Sequence, residues 1–209
     1  MTSLAHTPVL QGALVRLEPL AVRHSADLAA AVEEDRGSYG FTRVPRQWEM
    51  AEYLASHFER VKAGTMAAFA QIRLADGRAV GCTAYWDPRY WPGRAELCAV
   101  EIGWTWLAGS AQRTGINAEA KLLLMRHAFE NLRVIRVDLK TDARNERSRR
   151  AIERLGARFE GVLRQWSQSH TPGEQGVLRD SAIFSVLESE WPAVQAALRQ
   201  RLAQPPARQ

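Results

Sequence analysis

The six residues Gln112, Arg113, Thr114, Gly115, Ile116 and Asn117 stand between a predicted strand and a predicted helix. A loop at this place presents unpaired backbone N–H groups and the positive end of the helix dipole, and both attract phosphate. Gly115 has no Cβ, so the backbone there can approach a phosphate oxygen closely. A glycine in such a loop also fits a plain turn. The residues alone therefore leave phosphate binding and a turn both open.

Asn145 and Ser148 stand at the start of a later predicted helix. Helical spacing puts Ser148 on the same face as Ile152 and Leu155, towards the interior, where a hydroxyl needs a partner. One interpretation is local: Asn145 caps the helix and Ser148 bonds a backbone carbonyl. The other is that both side chains line a ligand site.

Glu101 is the candidate general base. Period two puts it with Ala99 and Gly103 on one face of a predicted strand, opposite Ile102 and Trp104, and Gly103 leaves space beside the carboxylate. A carboxylate in a cleft can take the proton of an ammonium whose pKa is about 8 to 10. The alternative is an ordinary solvated or ion-paired strand residue.

These candidates are held by an alternation of strands and helices. Period-two and helical patterns predict about seven strands, at residues 14–20, 67–74, 79–86, 96–107, 134–140, 159–168 and 179–187. Helices are predicted at 26–34, with Ser25 as its cap, and at 47–62, 117–130 and 145–155, with a further C-terminal helix at 189–203. Residues 87–93 are predicted to be a loop. The strand, helix, strand order around the Gly115 loop predicts a βαβ unit, and hence an α/β (α+β) domain with a mixed sheet.

The loop resembles the coenzyme A pyrophosphate motif of GNAT acetyltransferases, Gln/Arg-x-x-Gly-x-Gly/Ala. Gln112 and Gly115 match it, and Asn117 departs from its last position. The resemblance extends to Asn145-Glu-Arg-Ser148 and to Leu155-Gly156-Ala157, and it covers nearly the whole chain. The sequence is similar to the branch that contains ribosomal-protein N-terminal acetyltransferases.

The resemblance implies an N-acetyltransferase that moves an acetyl group from acetyl-CoA to a primary amine, on a protein N-terminus or a small molecule, by direct attack. Glu101 would be the base. Many relatives use a tyrosine as the acid, but no tyrosine follows Tyr90, so Ser148 or water would serve. Coenzyme A would bind residues 112–117, Asn145 and Ser148. Backbone N–H groups near the end of the Glu101 strand would stabilise the thioester oxygen if the strand splays there; these belong to Trp104, Thr105, Trp106 and Leu107.

The composition fits one folded domain, expected to span residues 1–209 with a core at about 10–188 and a frayed tail at 204–209. The chain has 209 residues, 46% hydrophobic and 24% charged, with a net charge of +5. We find no apolar stretch long enough to span a membrane and no signal-peptide pattern, so we expect a cytoplasmic protein. Cys82 and Cys98 lie in apolar strands and are expected to be reduced. His57 and His127 lack neighbours at metal-ligand spacing, so we predict no metal.

Two other functions stay open. Asn117 and the missing tyrosine also fit a catalytically silent acyl-CoA-binding module. A basic cluster in the Asn145 helix fits an RNA- or ribosome-associated protein, although no nucleic-acid motif accompanies it and binding to nucleic acid is not expected. The cluster consists of Arg144, Arg147, Arg149, Arg150 and Arg154. The tryptophan-rich surface favours a homodimer.

Overall fold

The computed structural model describes Leu4 and residues 7–93 and 96–204. These residues form one mixed sheet of eight strands in the order β1-β2-β3-β4-β5-β6-β8-β7. The strands are β1 Leu10–Gln11, β2 Val15–Pro19, β3 Met66–Arg73, β4 Ala79–Arg89, β5 Ala99–Leu107, β6 Arg136–Asp142, β7 Arg158–Gln168 and β8 Leu178–Leu187. All seven predicted strands are present, and β1 is an additional short one.

Five α-helices flank the sheet. They are α1 Ser25–Ala31, α2 Met50–Lys62, α3 Ile116–Arg126, α4 Glu146–Glu153 and α5 Trp191–Ala203. A π-helical turn, His127–Asn131, continues α3, so the predicted helix at 117–130 is present with a change of winding at its end. No helix of the described residues is both long and apolar enough to cross a membrane.

One pair of strands differs from all the others. Every neighbouring pair in the sheet is antiparallel except β5 and β6, which are parallel. Parallel neighbours need a crossover connection, and α3 supplies it, as the sequence pattern predicted. The loop containing Gly115 therefore lies at the carboxyl end of β5, directly before the crossover helix.

The apolar faces of α3 and α5 complete the main core against the sheet. Leu123, Leu124 and Met125 of α3 and Leu198 of α5 are buried with β-strand residues such as Val137. The helix α3 is also tied to the edge of the sheet by Glu119. Its carboxylate accepts the backbone N–H groups of Ala13, Leu14 and Val15, which lead into β2, with distances between 2.7 and 2.8 Å. The position of α3 is thus set by packing and by charge-assisted hydrogen bonds.

Three local predictions need correction. The predicted loop at 87–93 begins later, because β4 runs to Arg89 and its last residues still pair with β5. The strand predicted from residue 96 begins at Ala99. Ser25 does not cap α1 but is its first residue, and no side chain caps that helix.

Candidate functional site

A cleft opens in the sheet where β5 and β6 separate. The two strands pair only at Ala99–Glu101, opposite Arg136–Asp138. Beyond Glu101, β5 continues along β4 alone and β6 continues along β8 alone. Backbone groups of the second half of β5 therefore face a gap rather than a neighbouring strand. The splay that the sequence analysis made a condition for an oxyanion site is present.

A β-bulge lies in β5 directly after the point of separation. Cys82 of β4 pairs with Trp106 and Ala84 pairs with Gly103, so two residues of β5, Trp104 and Thr105, oppose the single residue between them. Trp104 has a φ of 53°, an uncommon value for a residue with a side chain. Such bulges redirect side chains and disrupt the ladder, often beside active sites.

The bulge overturns one prediction about Trp104. Simple alternation put its side chain on the face of Ile102, opposite Glu101. The Trp104 ring instead packs edge-to-face on Trp86, with centroids 6.0 Å apart, and Trp86 is the β4 residue opposite Glu101. The inserted residue breaks the period-two pattern, so Trp104 joins the face of Glu101. His57 of α2 contacts the same ring, with centroids 5.1 Å apart.

Glu101 is buried at the mouth of this cleft. Its carboxylate forms an ion pair with Lys140 of β6, with Oε2 and Nζ 2.9 Å apart. The Lys140 ammonium also lies 5.6 Å from the centroid of the Trp86 ring, a cation–π contact. Gly103 leaves space on the other side, because a Cβ there would stand 3.1 Å from Oε1 of Glu101. Glu101 is thus ion-paired, as the alternative interpretation expected, and its role as the general base stays a prediction.

The loop before α3 is held in an unusual conformation. Arg113 and Gly115 both have positive φ, 63° and 91°, and Gly115 is the residue directly before the helix. A Cβ on Gly115 would stand 2.9 Å from Cδ1 of Leu14. Glycine is therefore required here by its φ and by the neighbouring β2 segment, in addition to any ligand. Thr114 closes the loop with a hydrogen bond from Oγ1 to the Ala111 carbonyl oxygen, 2.7 Å.

Gln112 joins three parts of the site. Its Nε2 donates to the carbonyl oxygen of Leu107 at 3.0 Å and to the Ser38 hydroxyl at 2.9 Å. Its Oε1 accepts a hydrogen bond from Arg147 of α4. Gln112 therefore connects the end of β5, the segment after α1 and the helix α4.

Asn117 has a buried amide oxygen that accepts no hydrogen bond from any described residue. It lies in the first turn of α3, next to the free N–H groups of the helix start. A buried unpaired acceptor is costly and calls for a partner such as a bound ligand or water. This oxygen needs a hydrogen-bond donor, which an ionised phosphate does not supply. The open β5–β6 cleft, the glycine loop and the free N–H groups at the start of α3, a helix of eleven residues, together fit a phosphate-bearing cosubstrate.

The local interpretation holds for Asn145, whereas the Ser148 hydroxyl makes no hydrogen bond to a backbone carbonyl among the described residues. Oδ1 of Asn145 accepts the backbone N–H of Ser148 at 3.0 Å, which is the cap of α4. Ile152 and Leu155 are buried, whereas Ser148 is half-buried at the edge of the same face. Asn145 is therefore a helix cap, and the ligand role of both residues stays a prediction.

Sequence reasoning missed Lys121 of α3, which is buried behind the bulge. Its Nζ donates to the hydroxyls of Thr105 at 2.6 Å and Thr83 at 3.0 Å, and these hydroxyls lie 2.9 Å apart. No carboxylate of the described chain lies within 4 Å of this amine. Burial lowers its pKa from 10.5 to about 7. The available signal was a lone lysine within the apolar run that ends at Met125.

The hairpin of β7 and β8 is fastened over one side of the site by Arg144. This residue pairs with Asp142 at the end of β6, 2.9 Å, and with Glu174 in the hairpin loop, 2.8 Å. Its guanidinium also lies over the Phe41 ring, 5.4 Å from the centroid. The hairpin loop thus stands beside the segment between α1 and α2. Arg144, named in the basic cluster, is committed to these partners.

Comparison with known proteins agrees with this geometry. The family model described as an acetyltransferase (GNAT) domain matches residues 15–158. The chain belongs to the GNAT acetyltransferase family. A crystal structure named as that of an acetyltransferase is 35% identical, covers 98% of this chain and 99% of the other, and has a TM-score of 0.80. No curated protein matches the sequence.

Two further solved structures are similar to this chain. A GCN5-related N-acetyltransferase from Brucella melitensis is 33% identical, with 95% of this chain and 86% of that chain covered and a TM-score of 0.80. RimJ of Mycobacterium smegmatis, solved with CoA-disulfide, shares the fold at 18% identity, with 93% of each chain covered and a TM-score of 0.74. The GNAT resemblance and the mixed α/β fold are confirmed, and the protein is an acetyl-CoA-dependent acetyltransferase.

Proposed function

We propose that this GNAT protein transfers the acetyl group of acetyl-CoA to a primary amine by direct attack, with the reaction centre beside Glu101. The observation that carries the proposal is the separation of β5 from β6 directly after Glu101, next to the bulge at Trp104. That separation leaves backbone N–H groups available in a gap that leads towards the α3 loop. The acceptor is the amine of a small molecule or of a protein N-terminus.

The α3 loop supplies the anion site in this proposal. Residues 112–117 would bind the pyrophosphate of coenzyme A through the N–H groups of the helix start and the helix dipole. The amide nitrogen of Asn117 would donate to the same pyrophosphate, and its buried oxygen would take a donor elsewhere, such as water. Asn145 and Ser148 would line the neighbouring part of the cofactor site. The bound cosubstrate supplies the activated thioester.

Glu101 would take the proton that the incoming amine must lose. The amine nitrogen forms a bond to the thioester carbonyl carbon, and its proton passes to the Glu101 carboxylate. Lys140 keeps this carboxylate in place through their 2.9 Å ion pair. N–H groups of the strand end, from Trp104 to Leu107, would stabilise the negative oxygen of the tetrahedral intermediate. The carbon–sulfur bond then breaks, and the thiolate takes a proton from Ser148 or water, giving the amide and free coenzyme A. The proton held by Glu101 passes through water to the group that protonated the thiolate, which restores both groups.

A titration with acetyl-CoA tests the cosubstrate site. Thr114 is exposed in the α3 loop, so its replacement changes the charge there without disturbing the core. Thr114→Glu puts a carboxylate where the pyrophosphate would bind, and Thr114→Gln is the neutral control of nearly the same size. We expect calorimetry to show binding at least about tenfold weaker for Thr114→Glu than for Thr114→Gln, because both variants lose the hydrogen bond to Ala111 and only Thr114→Glu adds a like charge. Equal binding by both variants would contradict the assigned site.

Release of the coenzyme A thiol with a panel of amines then tests the reaction. Turnover with at least one amine, lost in Glu101→Gln while acetyl-CoA binding persists, would support the proposal. Tight binding of acetyl-CoA without turnover on any amine would favour the catalytically silent module instead.

We further propose that the protein acts in the cytoplasm as a homodimer. Large aromatic side chains are exposed on its surface, among them Trp48 and Trp166, which are 77% and 56% exposed. Exposed aromatic residues are enriched at protein interfaces. Light scattering during gel filtration would measure the mass in solution, and a mass near 23.4 kDa would contradict a dimer.

A further inference from the structure

A second concavity of about 850 Å³ lies between the segment that joins α1 to α2 and the loop of the β7–β8 hairpin. Arg43 and Thr42 line it from the first segment, and His170 and Thr171 line it from the hairpin. Its volume is that of a small-molecule site. Arg144 fastens this hairpin to the end of β6, the strand that carries Lys140, the partner of Glu101.

Most arginines around the cavity are already committed to partners. Arg36 donates to the backbone carbonyl oxygens of Val44 and Pro45, 3.1 and 2.7 Å. Arg46 pairs with Glu33 at 3.1 Å, and Arg144 pairs with two carboxylates. These side chains hold the walls in place rather than offering charge to a ligand.

Arg43 and Arg179 differ from the others. Within the described parts of the chain, neither has a carboxylate within 4 Å. Arg43 is an exposed lining residue of the cavity. Arg179 of β8 is half-buried, and its Nε donates to the Ser167 hydroxyl at 3.0 Å. A half-buried guanidinium whose single recorded contact is a neutral hydroxyl has further donors for an anion.

The β7–β8 ladder places Arg179 beside the hairpin wall of the cavity. Arg179 is the register partner of Ser167, and the residues that follow Ser167, from Gln168 to His170, line the cavity together with Arg43. Burial lowers the pKa of His170, and the charges of Arg179 and then Arg43 lower it further. Burial also lowers the pKa of Arg179, whereas the nearby charges of Asp142 and Glu101 raise it. Period two puts Arg179 on the same face of β8 as Ile183, the register partner of Lys140, which is the ion-pair partner of Glu101.

No acidic group of the described residues contacts either arginine directly. Glu101 is paired with Lys140, and Asp142 and Glu174 are held by Arg144. The carboxylate of Glu49, a lining residue, accepts the backbone N–H of Arg46 at 2.6 Å. Arg43 and Arg179 therefore keep N–H donors that could bind and orient an anion.

We propose that the acceptor is a small amine that carries a carboxylate, and that Arg43 and Arg179 bind this carboxylate while the amine reaches Glu101. Arginine is suited to the role because its planar fork matches a carboxylate with two parallel hydrogen bonds. The inference rests on the proposed acetyl transfer and specifies its substrate class. The transfer itself follows the balanced steps given above.

Paired amines test the proposal. Amino acids are compared with their α-carboxamides as acceptors, using thiol release from acetyl-CoA and correcting kcat/KM for the fraction of uncharged amine, because the two amines differ in pKa. The wild type should prefer the carboxylates at least about tenfold, the effect of one charged hydrogen-bonding pair. Peptides with an acidic or an amide residue after a free N-terminus form a second arm, and a preference confined to acidic peptides would overturn the small-molecule assignment.

Variants of the two arginines test whether these residues produce the preference for carboxylate-bearing amines. Arg43→Gln and Arg179→Gln should each reduce it about tenfold, mainly through KM, whereas Arg158→Gln, an equal loss of charge outside the cavity, should not. Arg43 is exposed, so its variant should fold even if Arg179→Gln does not. If acetyl-CoA binds and the carboxamides react as well as the carboxylates, the inference about the carboxylate is wrong but the proposed acetyl transfer still stands. If acetyl-CoA does not bind, or no amine reacts, the proposed function fails with it.

Discussion

The carboxylate of Glu101 and the ammonium of Lys140 lie 2.9 Å apart across the last point at which β5 and β6 still pair. Both side chains are largely removed from water, with 10% and 14% of their surface exposed. A pair in such a place has two separable roles, one in stability and one in chemistry. Removing either partner leaves a buried charge without compensation.

The separation of these roles is the first prediction. Glu101→Gln should lower kcat/KM by about 100-fold or more through loss of the base, with acetyl-CoA affinity unchanged. Lys140→Met should cost on the order of 3 kcal/mol of unfolding free energy, because it leaves the carboxylate unpaired. The double variant should regain most of that stability but none of the activity. Urea unfolding and thiol release measure the two effects, and an active double variant would rule out Glu101 as base.

Gly115 provides a prediction about the cofactor loop. Gly115→Ala should lose about 1 to 3 kcal/mol of unfolding free energy, since a φ of 91° strains a residue with a Cβ and that Cβ would meet Leu14 at 2.9 Å. The double variant with Leu14→Ala removes the collision but keeps the φ strain, so Gly115→Ala should cost less in that background. Urea unfolding in both backgrounds separates the cost of the collision with Leu14 from the cost of the positive φ. A neutral Gly115→Ala would mean that the loop relaxes freely.

The sequence predicted the scaffold better than the site. The β5–α3–β6 unit and the Gln112 loop follow from periodicity and from glycine placement, both of which are local. The bulge at Trp104 does not, because it is a mismatch between β5 and β4 that exists only once the strands are paired. The predicted strand face of the Trp104 side chain was wrong for this reason. Lys121 was not predicted as a site residue because its two hydroxyl partners come from different strands.

Arg144 leads to a prediction about acid stability. Burial works to raise the pKa of Asp142, but hydrogen bonds and charge from Arg144 outweigh it, and the net pKa lies below the usual value. The Arg144 side chain lowers the pKa of Glu174 to about 2. Groups with a depressed folded pKa contribute stability above their unfolded pKa of about 4, and this contribution is lost as the pH falls towards 2.

Arg144→Gln should therefore be less stable than the wild type at pH 7, and the difference should shrink as the pH falls from 5 to 3. Unfolding free energies across this range measure it. Arg150→Gln is the matched control, because Arg150 pairs with the exposed Glu146 within one helix and such pairs contribute little. A difference that does not change with pH would show that Arg144 acts by packing on Phe41 instead of by charge.

Lys121 gives a pH dependence of the same sign in a higher pH range, but here the charged group destabilises the fold. Burial lowers its folded pKa to about 7 from 10.5, so between these values the unfolded chain binds more protons than the folded one. Unfolding free energy from this group must then rise with pH, with a slope of at most about 1.4 kcal/mol per unit. Below pH 7 both states are protonated, and the full cost of burying the ammonium is present.

Lys121→Met removes that cost, and the Thr83 and Thr105 hydroxyls can still bond each other at 2.9 Å. The variant should exceed the wild type in stability at pH 6, and this advantage should diminish steadily up to pH 9. Lys62→Met is the control, because Lys62 is exposed on α2 and its loss should leave the pH slope intact. Parallel stability curves for wild type and Lys121→Met would mean that the buried amine keeps an ordinary pKa, through hydration or a local opening of α3.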